Sequence, residues 1–184
     1  MIARQRILVL GLAALFTFAS LPEPSRAAVV TLSRIDFEFD GSPWTLGWRF
    51  AVHEPVFAEA LGVYDSGQDG LAGSAEAALW LATGGAPLVQ VTIPAGTDAT
   101  LDGSFRFVPI ASILLHPGTD YVIGSYLPGE LSTSLFGDNG VVDPLVTVIE
   151  ARYSAEWTGF AFPAVTEPES GAAAFLGANL RIAP

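Results

Sequence analysis

Leu46-Gly47-Trp48-Arg49-Phe50-Ala51-Val52-His53 reads as one strand of a half-buried sheet. Trp48, Phe50 and Val52 recur at every second position, with Arg49, Ala51 and His53 between them. Successive side chains of a strand point to opposite faces, so this period gathers the three large apolar groups on one side. Arg49 and His53 then project the other way, into solvent. A helix would throw Trp48 and Phe50 onto nearly opposite sides, at ~100° per residue, and waste the pattern.

The same alternation returns on either side of this stretch. Leu61 and Val63 alternate with Gly62 and Tyr64, and Ala77, Leu79 and Leu81 with Glu76, Ala78 and Trp80. Phe105 and Phe107 alternate with Ser104 and Arg106, and Tyr121, Ile123 and Ser125 with Val122, Gly124 and Tyr126. The run Val146 to Tyr153 is β-branched and alternates again. Turn chemistry separates the runs at Asp40-Gly41, Asp65 to Gly70, Gly84-Gly85, Asp102-Gly103, His116-Pro117-Gly118 and Asp138-Asn139-Gly140. Strands with turns every ~8–12 residues describe an all-β chain, a single antiparallel β-sandwich of jelly-roll-like type, with about eight to ten strands. The domain is expected over residues 28–184, with loops at Pro128 to Pro144 and Pro163 to Ser170.

Residues 1–27 have the three parts of a secretory signal: Arg4 and Arg6, an apolar run from Ile7 to Ala19, and a small-x-small site at Ser25/Ala27. The apolar run is shorter than the ~20 residues a spanning helix needs. Cleavage is expected after Ala27 or Ala28, delivering a periplasmic or extracellular protein with no membrane span in the mature chain. It would also shift the net charge from −11 to −13, because Arg4, Arg6, Arg26 and Glu23 leave together. So acidic a chain, without a single lysine, lacks the basic face that nucleic acid requires. The absence of cysteine removes disulfides, thiolate nucleophiles and cysteine-ligated metals.

An ordered series of motifs runs through the chain: Leu46 to Phe50, Ala60 to Asp65, Asp69 to Ser74, Ala78-Leu79-Trp80, Pro94 to Thr97, Leu101 to Phe107, Leu115 to Gly124 and Gly177 to Ile182. This series resembles an uncharacterised secreted β-sandwich domain of bacterial PEP-CTERM (exosortase-associated) proteins. It is also similar to domain-of-unknown-function modules found beside carbohydrate-active enzymes. The resemblance implies a secreted sandwich and assigns no activity. The sorting tail of that family is not found here, its nearest echo being Thr166-Glu167-Pro168-Glu169-Ser170.

Catalytic motifs are scarce. There is no Gly-x-Ser-x-Gly elbow, and His53 and His116 are the two histidines, too few for a three-histidine zinc site. The densest polar cluster is Asp65-Ser66-Gly67-Gln68-Asp69-Gly70, ending at Glu76. Its spacing approaches a calcium loop, with Gly67 where a further ligand should stand and without flanking helices. Asp65, Asp69 and Glu76 are therefore candidate ligands for Ca²⁺, the one cofactor considered. The preferred reading makes both aspartates caps of tight turns, with Glu76 facing solvent and calcium binding weak at best.

Exposed planar rings stack on sugar faces, which makes Trp44, Trp157 and Trp80 candidate ligand-binding residues. The first two lie in loop-like sequence, whereas Trp80 is read rather as core. The leading expectation is a non-catalytic exported module of the cell envelope or extracellular matrix that works by binding or packing. The alternative is a carbohydrate-binding module using its tryptophans, and last comes a polysaccharide hydrolase or lyase. The partner would be an extracellular polysaccharide or an envelope component. Whether Trp44 and Trp157 share an exposed face separates the first two readings.

Overall fold

The computed structural model describes residues 27–135, 138–157, 159–167 and 174–184. Apart from Ala27, the signal-like segment lies outside them, as do residues 168–170 of the acidic echo. The strands run β1 (Ala27–Ala28), β2 (Val30–Leu32), β3 (Glu38–Asp40), β4 (Leu46–Val52), β5 (Val56–Tyr64), β6 (Ala75–Leu81), β7 (Val89–Ile93) and β8 (Thr100–Asp102). They continue as β9 (Phe105–Leu115), β10 (Asp120–Tyr126), β11 (Leu131–Leu135), β12 (Gly140–Val142), β13 (Val146–Tyr153), β14 (Val165–Thr166), β15 (Ala174–Leu176) and β16 (Ala178–Ala183). One 3-10 turn, Ser66–Gln68, interrupts them. No described helix is long and apolar enough to cross a membrane.

Two principal sheets make an antiparallel β-sandwich. One has the order β1-β16-β5-β9-β8 and the other β14-β13-β4-β10-β6-β7. Two small sheets, β15-β11-β3 and β12-β2, complete the described pairing. Trp48, Phe50 and Val52 of β4 join Tyr121 and Ile123 of β10 and Ala77 and Leu79 of β6 in one buried cluster. Leu61 and Val63 of β5 and Leu180 of β16 belong to the same cluster. The indole N–H of Trp48 donates to the carbonyl of Ala178 at 2.9 Å, a polar contact from β4 to the opposite sheet. On β5, Gly62 makes room for Phe107 of β9, since a Cβ there would stand 2.5 Å from the ring. The Arg181 guanidinium covers that same ring, 4.4 Å from its centroid.

The structure departs from the sequence reading in two ways, within strands and in the stretches read as loops. Within strands, the alternate residues Tyr64, Arg106 and Val122 are buried too and Leu81 of β6 is 39% exposed, while Trp80 is buried as its core reading has it. The second departure is that both stretches read as loops contain strands: β11 and β12 in the first, β14 in the second. The β11 sequence Leu-Ser-Thr-Ser-Leu shows no apolar period because Ser132, Thr133 and Ser134 are all buried. Part of their polar capacity is matched by hydrogen bonds, although the buried Ser134 Oγ makes none among the described residues. Thr133 Oγ1 donates to the Phe37 carbonyl at 2.8 Å, and Asn139 Nδ2 donates to the Ser134 carbonyl at 2.9 Å. A buried strand can be polar when hydrogen bonds of this kind replace water.

Candidate functional site

The chain that leaves β13 turns back along the start of β4. Four hydrogen bonds with Thr45 hold it there, one of them from Thr45 Oγ1 to the Gly159 carbonyl at 3.3 Å. Ser154 N–H donates to the Thr45 carbonyl at 2.9 Å, Thr45 N–H donates to Ser154 Oγ at 3.0 Å, and Ala161 N–H donates to Thr45 Oγ1 at 2.9 Å. Beyond this clasp, Phe160 and Phe162 settle on Trp80, their ring centroids 5.5 and 5.7 Å from its own. Pro163 packs over Gly124 of β10, whose missing side chain leaves the space. The returning segment therefore forms a third layer on the outer face of the six-stranded sheet, and this is why Trp80 is buried.

The same clasp brings Trp157 to Trp44. Their rings meet edge to face with centroids 5.3 Å apart and planes at 72°. Trp157 is 71% exposed, and Trp44 is half-buried beside it. A shallow cleft of about 220 Å³ opens next to the pair, lined by Trp44, Leu46, Tyr153, Glu167 and Phe175. Phe175 continues to Phe39 at 5.9 Å, and Phe39 stacks on Phe37 at 5.6 Å. The surface thus carries a run of aromatic rings with one carboxylate, Glu167, in the cleft wall.

Of the three candidate calcium ligands, Asp65 takes the turn-capping role preferred for it. Asp65 is fully buried and bound to Arg106, whose Nε donates to its Oδ2 at 2.6 Å. Both Asp65 oxygens also accept from Gly70 N–H at 3.3 Å, which is the turn-capping role. Glu76 is taken up on the other sheet, where Thr92 Oγ1 and Gln90 Nε2 of β7 donate to it at 2.7 and 3.3 Å. Asp69 stays exposed. Asp65, Asp69 and Glu76 do not converge, and no group of three potential ligands converges among the described residues. Trp80 likewise does not join Trp44 and Trp157. His53 is exposed beside Thr147, 2.7 Å from its Oγ1, and the His116 side chain sits in an exposed turn.

Two features were not singled out in the sequence. Arg106, an alternating residue of β9, is a buried hub. Besides Asp65 it donates from Nη1 to the carbonyls of Ala99 at 3.1 Å and Thr97 at 3.3 Å. The second is a charge ladder on the outer sheet face. Arg152 Nε donates to Glu150 at 2.8 Å, Arg49 Nη1 donates to the same carboxylate at 3.4 Å, and Arg49 also binds Asp120. A β-bulge between Val148 and Glu150 brings Glu150 opposite Arg49, so the linear alternation hides the pairing.

Burial works against the ionised form of Glu150, but Arg152 and Arg49 outweigh it and hold the carboxyl below its ordinary range. A depressed folded-state value means the ladder stabilises fully above the unfolded glutamate value of about 4.3. That contribution is lost as pH falls through the lowered value. Melting temperature should therefore drop on acidification below this range, and Glu150→Gln should drop less steeply. Parallel curves for the two proteins would show that Glu150 carries none of the effect.

Comparison of the chain with protein-family models and with curated proteins finds no match.

Proposed function

We propose that this chain is an exported, non-catalytic module of the cell envelope or extracellular matrix that binds carbohydrate through the surface around Trp44 and Trp157. The observation that carries this reading is the meeting of those two rings on one exposed surface, beside a cleft bounded by Tyr153, Phe175 and Glu167. Aromatic faces take up the C–H face of a sugar, and a neighbouring carboxylate accepts from its hydroxyls. The net charge of −11 disfavours an acidic polymer, so the fitting ligand is a neutral glycan. Binding rather than cleavage is supported by the cleft itself, which is shallow and has Glu167 as its one acidic lining residue among those described. The signal-like N-terminus and the resemblance to secreted PEP-CTERM-associated domains support the setting.

A glycan array, run with and without Ca²⁺, followed by calorimetry on the best neutral hit, tests this. Trp157→Ala is expected to cost about 2 kcal/mol of binding, roughly thirtyfold in Kd, as a central aromatic contact does. Its effect on folding should stay within about 0.5 kcal/mol, because the ring is mostly in water. Trp44→Ala should weaken binding similarly and cost far less stability than loss of a core tryptophan. An array with no neutral hit, or a hit whose affinity ignores both substitutions, would sink the proposal.

A further inference from the structure

A second cavity lies on the outer face of the six-stranded sheet, toward the other end of β4. It measures about 410 Å³ and is lined by Arg49, Leu81, Ala82, Thr83, Gly118, Thr119 and Asp120. That volume falls within the ~300–1,000 Å³ range of small-molecule pockets. The β6–β7 and β9–β10 turns form its walls, and the Arg49–Asp120 pair, with both side chains 32% exposed, faces the space between them.

The hydrogen-bonding capacity of this pair is incompletely used. Arg49 Nε and Nη2 both donate to the same oxygen, Oδ2 of Asp120, while Nη1 donates to Glu150. Asp120 Oδ1 makes no hydrogen bond among the described residues, and each Arg49 terminal nitrogen retains one further N–H. An acceptor and two donors therefore stand side by side, with the Thr83 and Thr119 side chains and the apolar Leu81 close by. The charges of Arg152, Glu150, Arg49 and Asp120 cancel, so the site has no net charge to attract an ion. Adjacent hydroxyls, each able to donate and accept, match this pattern.

We infer that this cavity is a separate binding site for a neutral polyol, in chemical terms a vicinal diol of an uncharged sugar ring. It does not depend on the tryptophan surface.

The test is an amide-resolved NMR titration of the mature protein. The neutral probes are the methyl glycosides of glucose, galactose and mannose, and the charged probes are glucuronate and glucosamine. Neutral glycosides should shift the amides of Thr83, Gly118 and Thr119, saturating with a Kd on the order of 1–10 mM. Asp120→Asn and Thr119→Val, each checked for an unchanged fold by its own spectrum, should weaken that binding roughly tenfold. Should Asp120→Asn disturb the fold, Thr119→Val alone decides. The shifts should persist in Trp157→Ala, which separates this site from the proposed glycan surface. The inference is overturned if no neutral glycoside moves these amides, if the charged probes bind equally well, or if the folded variants bind as the parent does.

Discussion

Trp48→Ala is expected to lower the unfolding free energy by about 3–5 kcal/mol, the range for deleting a large core aromatic. The ring is fully buried between the sheets and packs 5.1 Å from Phe50, centroid to centroid. Alanine leaves a cavity and also strands the Ala178 carbonyl, which accepts the indole N–H in the opposite sheet. Trp48→Phe separates the two contributions. It restores much of the volume but not the donor, and the orphaned carbonyl should still cost about 1–3 kcal/mol. Typical domains hold only about 5–15 kcal/mol, so Trp48→Ala is large enough to unfold a marginal one. A urea midpoint unchanged in Trp48→Ala would mean that the inward face of β4 has been misassigned.

Asp65→Ala should cost a similar amount, about 3–5 kcal/mol, for a different reason. It leaves the Arg106 guanidinium buried without its counter-charge, held by carbonyls that cannot neutralise it. The side chains are 0% and 4% exposed, so water cannot make up the loss. Arg106→Met in the same background should restore part of the stability, because a methionine places no charge in the site. The double variant is expected to be more stable than Asp65→Ala alone, and additive losses would contradict a coupled pair. Asp65 also accepts from Gly70 N–H, so Asp65→Ala and the double variant should both loosen the Ser66–Gly70 turn.

The strand face at Trp48 was legible in the sequence because a period of two has one physical meaning when its apolar residues are large. Leu61, Val63 and Ile123 follow the same logic and take their places in the core. Trp80 was harder to place, since alternation says which side a residue faces and not what covers that side. Its cover, Phe160 and Phe162, arrives from another part of the chain by way of the Thr45–Ser154 clasp. The contact of Trp44 with Trp157 depends on the same clasp and was invisible for the same reason. At Asp65 local spacing favoured the turn cap over the calcium ligand but gave no sign of its partner on β9. Long-range pairing chose Arg106 for it, and no sequence window contains both.

The borders of the two principal sheets carry a consequence for how copies of this chain meet one another. A sheet edge with free N–H and C=O groups invites strand addition and aggregation. Among the described residues β1 and β14 offer two residues each and β8 three, too short to template a stable pairing. All three β8 residues are exposed, and Asp102 among them is engaged by Arg181 at 2.8 Å. The longest border, β7, spans five residues, with Pro94 directly after it and Pro87 two positions before it. Proline supplies no N–H, so a strand docking there could not extend its ladder past either end. At high local concentration, the described borders of these two sheets would then not propagate a sheet from one molecule to the next.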